Sequence, residues 1–304
     1  MAKTVAFEHV SCDFCGEEKY KLRYRKPDNW LWKNQFEFPV VECVKCGLVY
    51  VNPRPTKESM KEYYPNDYHD NRNTQLHFKR YSIQSGFLPR LRYDKVLDIG
   101  CAKGDFLHFL INLYPNIDAY GVDLYSDGVN YNNINFMNKE LTNCCFEENE
   151  FDIITAWAVF EHLHCPDLYF AQVSRILKQR GKFIYLVTNA ESLYGRRAYA
   201  EDIPRHLYHF SEKSLSNYAL KHGLKILRTT YDDRLWDGRG MGTCYYYLQR
   251  LFGVSWEKRF FRKISSFQKK IGVIGNMVDR NVFKGHWEAR RKRSGIIIVE
   301  CIKK

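Results

Sequence analysis

The sequence predicts a doubly wound α/β domain with a small metal-binding module on its N-terminal side. Two observations predict the main domain. The stretch V-L-D-I-G-C-A-K-G-D-F-L (Val96 to Leu107) reads as a buried strand, a glycine turn and a helix start. Behind it, apolar strands alternate with helix-period segments of 10–15 residues, the pattern of a parallel sheet wound on both faces. A third observation predicts the module: Cys12-Asp-Phe-Cys15-Gly16 and Cys43-Val-Lys-Cys46-Gly47 are matched C-x-x-C-G turns.

The cysteines come first in the chain. Each turn sets two thiolates on one bend, and the following glycine lets the chain fold back on itself. Two such turns make a closed four-sulfur site, which suits structural Zn2+ and leaves no open position for catalysis at the metal. Residues between Tyr20 and Val41 alternate as short strands of a zinc ribbon do. Leu48 to Thr56 (L-V-Y-V-N-P-R-P-T) follows as a strand ended by Pro53 and Pro55. Lys57 to Tyr64 is a predicted short helix. Tyr63, Tyr64, Tyr68 and His69 then form either an aromatic wall near a substrate or packing between ribbon and core. Asn71 to Gln84 is predicted as linker or exposed helix.

In the main domain, Val96–Ile99 is strand one and Lys103 to Leu113 the first helix. Ala119 to Val122 is strand two, ending at Asp123. An acid at the tip of the second strand, some 20 residues beyond a glycine turn, sits where a ribose is bound in nucleoside-binding α/β units. Ile134 to Met137 is strand three, followed by Glu140. Phe151 to Trp157 is strand four, Ala158 to Leu163 a helix start, Leu168 to Leu177 a helix and Lys182 to Val187 strand five.

Composition bounds the class. Hydrophobic residues make up 45% of the 304, enough for a core of this size. The longest apolar runs are too short to span a bilayer as a helix. The first residues lack the apolar centre of a secretory signal, so a reducing cytoplasm with free thiols is expected. The net charge of +12 is uneven. Between Cys244 and Gly295 stand 13 Lys/Arg against three acids, so about +10 of it lies there.

Taken together, L-D-I-G-C-A-K-G, G-V-D-L, F-D-I-I-T-A-W, V-F-E-H-L-H-C-P-D, R-I-L-K-Q-R-G-K-F and L-V-T-N resemble class I S-adenosylmethionine-dependent methyltransferases, over roughly Asp94 to Leu227. With the preceding C-G-L-V-Y-V-N-P-R-P, the likeness narrows to bacterial enzymes of sugar and surface-polysaccharide pathways that carry a zinc module. The resemblance implies a Rossmann-like sheet whose final strand, Arg293 to Cys301, is antiparallel. It implies S-adenosylmethionine as cofactor: Asp98 on its amino group, the Gly100–Cys101–Gly104 turn around its methionine part, Asp123 on its ribose, Glu140 near its adenine, and Ala156 and Trp157 beside the sulfonium. Ala102 and Lys103 depart from the residues usual in that turn, and Ala102 fits it on the expectation of a negative φ.

Methyl transfer is an in-line displacement, and an oxygen or carbon acceptor gains from a general base. The candidates are His206, which the resemblance favours, His162 and His209. Each is equally readable as a histidine that only hydrogen-bonds in the fold. His164 and His222 read as surface or capping residues.

The basic region places Phe260, Ile264, Phe267 and Ile271 on one helical face, with cations off it. Such a helix lies in a membrane interface or packs on the domain. The chain thus divides into ribbon (1–56), helical linker (57–93), methyltransferase core (94–236), basic helical insertion (237–292) and final core strand (293–304). The expected partner is a small-molecule or glycan substrate, with peripheral membrane contact through residues 245–293. The alternative is an RNA methyltransferase gripping nucleic acid through ribbon and basic region. Against it, the ribbon itself is not basic.

Overall fold

The computed structural model describes residues 5–28, 36–64, 74–124, 131–192, 202–236, 243–254, 264–283 and 289–304. The N-terminal strands are β1 (Phe7–Glu8), β2 (Tyr20–Pro27), β3 (Glu37–Cys43), β4 (Val49–Val51) and β5 (Arg54–Pro55). Helices α1 (Lys57–Met60) and α2 (Thr74–Ser85) lead to the main domain. Its elements are β6 (Lys95–Ile99), α3 (Asp105–Leu113), β7 (Asp118–Val122), β8 (Asn135–Met137), β9 (Phe151–Trp157), α4 (Pro166–Ile176), β10 (Leu177–Thr188), β11 (Tyr208–His209), α5 (Glu212–Lys221) and β12 (Leu224–Thr230). Helices α6 (Thr243–Leu251) and α7 (Ser266–Val278) precede the last strand, β13 (Ile296–Lys303).

Seven strands form the central sheet in the order β12-β13-β10-β9-β6-β7-β8. All pairings are parallel except those of β13, which runs antiparallel to both β10 and β12. The order reverses between β6 and β9, the first two strands to diverge. In open α/β sheets, ligands bind beyond the carboxyl ends of the strands at such a point. The central strands are buried on both faces: Val96, Leu97, Ile154, Phe183, Ile184 and Val187 are all inaccessible to water. This is the continuous apolar reading that a parallel sheet demands.

The ribbon sheet contains a strand from the main domain. Its order is β11-β4-β3-β2, with Tyr208 opposite Tyr50 and His209 opposite Val49. Val51 N–H also donates to the Leu207 carbonyl at 2.9 Å. Ribbon and core therefore share backbone hydrogen bonds as well as side-chain packing. Arg54 adds to the joint, donating to Glu8, to the Tyr208 hydroxyl and to the His164 carbonyl.

Several boundaries differ from the sequence-based ones, each for a local reason. The first helix starts at Asp105, because Gly104 sits at φ +81° and acts as its N-cap. The segment after β9 makes only a single 3-10 turn, Phe160–His162, in place of a longer helix. Helix α4 begins at Pro166, which suits the first helical position, and its Leu168 is exposed. Of the predicted basic helix, residues 259–263 lie outside the described residues. The helix starts at Ser266 because Ser265 and Gln268 form a reciprocal capping box. Ile264 is thus not helical, and Ile271 is buried while Phe267 is exposed. A Cβ on Gly275 would lie 2.6 Å from Tyr245 Cα, so the glycine permits this close crossing. The Asp279 carboxylate accepts from Cys244 and Tyr245 N–H, both at 2.9 Å, and so caps α6.

Candidate active site

The site is built at the carboxyl end of β6. Asp98, the penultimate residue of that strand, has almost no access to water. Its carboxylate accepts from Thr155 Oγ1 of β9 at 2.6 Å. Burial raises its pKa to about 7; the Thr155 bond opposes the rise and the charge of Asp123 adds to it. The chain then turns. Gly100 has φ +70°, and a Cβ there would lie 2.5 Å from Val159 Cγ2. Any larger residue at 100 is therefore both strained and obstructed.

Ala102 overturns one expectation. Its φ is +50°, in the left-handed region that glycine prefers. Its N–H donates to Asp123 Oδ2 at 2.9 Å, so a hydrogen bond across the turn holds the strained residue. The acid at the tip of β7 is thereby locked onto the glycine turn. Cys101 lies differently from its neighbours. Its side chain is buried against Gly121, where a Cβ would approach Sγ to 2.6 Å, so only its backbone belongs to the turn. Glu140 is ion-paired with Lys57 of α1, which draws the linker towards the same end of the sheet. Ala156 is buried inside the sheet, and Trp157 packs its ring on Phe106 and Phe87.

These residues suit the cofactor that the sequence implies. Asp98 is a buried acid lacking a cationic partner among the described residues, and a bound α-ammonium group would supply one. Gly100 and Gly104, both at positive φ, keep the turn free of side chains where the chain meets a ligand.

A second group lies beside the turn. Glu161, His162 and His206 bring one ligand-capable atom each within 4.8 Å of one another. Glu161 is 0% exposed and His206 is 8% exposed. The Glu161 carboxylate accepts the Thr188 N–H through Oε1 at 3.1 Å, while its other oxygen has no partner among the described residues. His206 Nδ1 is likewise buried without a partner there. His162 Nδ1 lies 3.1 Å from the Arg205 carbonyl oxygen and 3.0 Å from the Tyr64 hydroxyl. A carbonyl only accepts, so the His162 proton is assigned to Nδ1 and Nε2 keeps its lone pair. Burial raises Glu161 to about 7, and burial together with His162 and other cationic neighbours holds His206 well below the usual histidine range.

Of the three candidate histidines, His162 and His206 stand together in this group and His209 is not part of it. His209 is part of the ribbon sheet, and burial with Lys26 and Arg23 nearby holds it to about 3. Glu161 was absent from the candidates, although E-H-L in the sequence places it beside His162. The signal available was its position: an acid one turn beyond a strand that ends at the cofactor edge. Of the predicted aromatic wall, Tyr63 is core and Tyr64 reaches His162, while Tyr68 and His69 lie outside the described residues.

At the far end, the four cysteines converge as expected. Cys12 and Cys46 sulfurs are 3.5 Å apart, as are those of Cys15 and Cys43, and all four lie within 4.8 Å of one another. Four thiolates about 2.3 Å from one zinc would stand about 3.8 Å apart, so the set fits a tetrahedral ion.

Comparison with known proteins agrees with this geometry. Residues 60–229 match the family model described as "Methyltransferase domain". The chain belongs to that family, within the class I S-adenosylmethionine-dependent methyltransferases. A curated relative, the malonyl-[acyl-carrier protein] O-methyltransferase of Paenibacillus sp. (strain JDR-2), is 24% identical over 164 residues, covering 50% of this chain and 56% of that protein. The fatty-acid O-methyltransferase of Mycolicibacterium smegmatis is 29% identical over 127 residues, covering 38% and 45%. The chain thus spans about half the length of the curated relatives it matches. The solved phosphoethanolamine N-methyltransferase 2 of Haemonchus contortus, in complex with S-adenosyl-L-methionine, is 15% identical, with a TM-score of 0.50 over 93% of this chain and 68% of that one. It shares the fold. Among the described residues, no helix is long and apolar enough to cross a membrane.

Proposed function

We propose that this chain transfers a methyl group from S-adenosylmethionine to a sugar of a nucleotide-linked or lipid-linked surface glycan. When bound, the cofactor supplies an electrophilic methyl group on sulfur. The residues that would hold it are Asp98, the backbone of Gly100 to Gly104, and Asp123, with Glu140 and the Ala156–Trp157 strand end as neighbours. The four cysteines hold a structural Zn2+ that fixes the ribbon.

The observation that carries the reading is the Glu161–His162–His206 cluster. A sugar hydroxyl or an activated carbon must lose a proton as it gains a methyl group. A buried acid–base cluster next to the glycine turn provides for that loss.

A second reading rests on the two relatives, whose names place their chemistry on malonyl-[acyl-carrier protein] and on fatty acids. A carboxylate acceptor carries no proton to remove, which leaves the cluster without a task. RNA as acceptor has less support: the basic residues concentrate in the C-terminal region and not in the ribbon. Contact with a membrane suits a lipid-linked acceptor. Leu251, Phe252, Phe267, Val273, Ile274 and Met277 of the α6–α7 pair are all exposed, among Arg250, Lys269 and Lys270.

The test is a labelled-methyl assay over nucleotide sugars, lipid-linked glycans, fatty acids, acyl carriers and RNA. Transfer to a sugar, with kcat reduced roughly 100-fold or more in Glu161→Gln and cofactor affinity kept, is the expected result. Transfer confined to carboxylates or RNA, at a rate Glu161→Gln leaves unchanged, would overturn it.

A further inference from the structure

We infer that Glu161, His162 and His206 form a second metal site for a divalent transition-metal ion such as Zn2+, Fe2+ or Co2+. This deepens the proposed transfer by giving the cluster a ligand, and the ion's role in catalysis rests on that reading. Its binding does not.

The chemistry of the donors is the first ground. Two imidazoles and one carboxylate are a set that borderline dications accept, with positions left open for a substrate oxygen. Purely oxygen-seeking ions such as Mg2+ prefer carboxylates, carbonyls and water.

The second ground is what the protein leaves unsatisfied. Buried polar atoms nearly always find hydrogen-bond partners. Here a carboxylate oxygen of Glu161 and Nδ1 of His206 are both buried and lack partners among the described residues, in one small group. A cation answers both at once. Other buried atoms without partners, such as the hydroxyls of Tyr50 and Tyr185, do not gather into a ligand set.

The third ground is the support behind the ligands. Metal-bound histidines usually donate their other ring N–H to a carbonyl or carboxylate. His162 does so to the Arg205 carbonyl, which points Nε2 away from that contact. Glu161 is held by the Thr188 N–H through one oxygen, leaving the other for a ligand. Arg205, adjacent to His206 in the chain, does not bring an unanswered positive charge: its guanidinium bonds to Asp28, to Asp202 and to the Tyr63 carbonyl. The loop is further pinned where Leu207 N–H donates to the Glu161 carbonyl at 2.8 Å. The ligands thus come from two segments tied to each other by backbone bonds.

An ion here would lie close to the glycine turn, since Val159, two residues before Glu161, stands against Gly100. An acceptor hydroxyl bound to such an ion loses its proton more readily than in water.

The experiment uses the whole chain with its cysteine site filled by zinc, S-adenosylmethionine present and no acceptor. Co2+ is titrated and followed by absorption and by metal analysis. The expected result is one further equivalent, with weak d–d bands and without the intense thiolate charge-transfer band of a cysteine site. Glu161→Gln and His206→Gln should each weaken that binding roughly 10–100-fold or more while S-adenosylmethionine still binds. X-ray absorption on the unmodified protein should find a nitrogen/oxygen shell, which decides the matter even where a variant fails to fold. Absence of a second equivalent, a sulfur-containing shell, or undiminished binding in both variants would overturn the site. Because none of these readouts needs an acceptor, they stand apart from the methyl-transfer assay. Sugar methylation that persists in protein carrying only the cysteine-bound zinc would leave the proposed function standing and remove the ion from it.

Discussion

Thr155 on β9 donates a 2.6 Å hydrogen bond to Asp98 on β6, across the seam where the sheet order reverses, and both side chains are out of contact with water. This bond stabilises the carboxylate form of Asp98, while burial works more strongly the other way and leaves its pKa at about 7. Below about pH 7 the free protein therefore keeps on Asp98 a proton that the unfolded chain releases near pH 4. Stability from this group is fully present at low pH and declines as pH rises from about 4 to about 7. Cofactor binding runs in the opposite sense. An ammonium group pairs with the ionised acid, so affinity should rise about tenfold per pH unit up to about pH 7 and level off above it. Calorimetry with S-adenosylmethionine between pH 5.5 and 8 measures this. Asp98→Asn should flatten the profile; an unchanged slope would separate Asp98 from the ammonium group.

Gly100→Ala should destabilise the fold by about 2–4 kcal/mol, combining left-handed strain with a clash into Val159. The two contributions can be told apart. Val159→Ala in the same chain removes the clash and should restore part of the loss, leaving the strain. Urea unfolding of the two single variants and the double variant reads the difference. Additive losses would mean that Val159 does not press on residue 100.

Arg205→Ala removes a buried guanidinium that pairs with both Asp28 and Asp202 and should cost about 3–5 kcal/mol, because breaking a buried ion pair from one side is strongly destabilising. Replacing Asp28 with Asn at the same time should recover part of it. Beyond stability, the backbone at 205 positions His162, so the acceptor-side KM should shift while cofactor affinity holds. A loss below about 1 kcal/mol would show the pair to be open to water.

The exposed apolar side chains of α6 and α7 suggest vesicle sedimentation as a measurement. Vesicles rich in anionic lipid should retain the protein, and neutral ones should retain it less. Phe267→Ser with Met277→Ser should weaken retention in both. Lys269→Ser with Lys270→Ser should weaken only the salt-sensitive part, by about 1 kcal/mol per charge. Retention indifferent to all four substitutions would place the membrane contact elsewhere.

Much of this was legible in the residues. Val96 to Leu107 and the two cysteine turns are local patterns whose backbone demands are carried by glycine, and the structure follows them closely. What the sequence reading missed depends on partners distant in the chain. Ala102 takes a positive φ because Asp123, far along the chain, accepts its N–H. His209 reads as a candidate base, yet its backbone belongs to a sheet begun before residue 50. The start of α7 is a different kind of miss. Ser265 and Gln268 are a local capping signal, but apolar spacing extended the helix past it towards the N-terminus. Glu161 is legible too, in E-H-L, but its burial beside His206 depends on a segment more than 40 residues further along the chain.

The strand Tyr208–His209 has one more consequence. Since it completes the ribbon sheet two residues after His206, the ribbon is not a detachable appendage. Truncating the first 56 residues to obtain a minimal enzyme would strip an edge from the segment that presents His206. Conversely, a chimaera that exchanges the ribbon for that of a related enzyme would replace the strand that pairs with Tyr208 and His209, and would reset the backbone just beyond His206 without touching the cofactor turn.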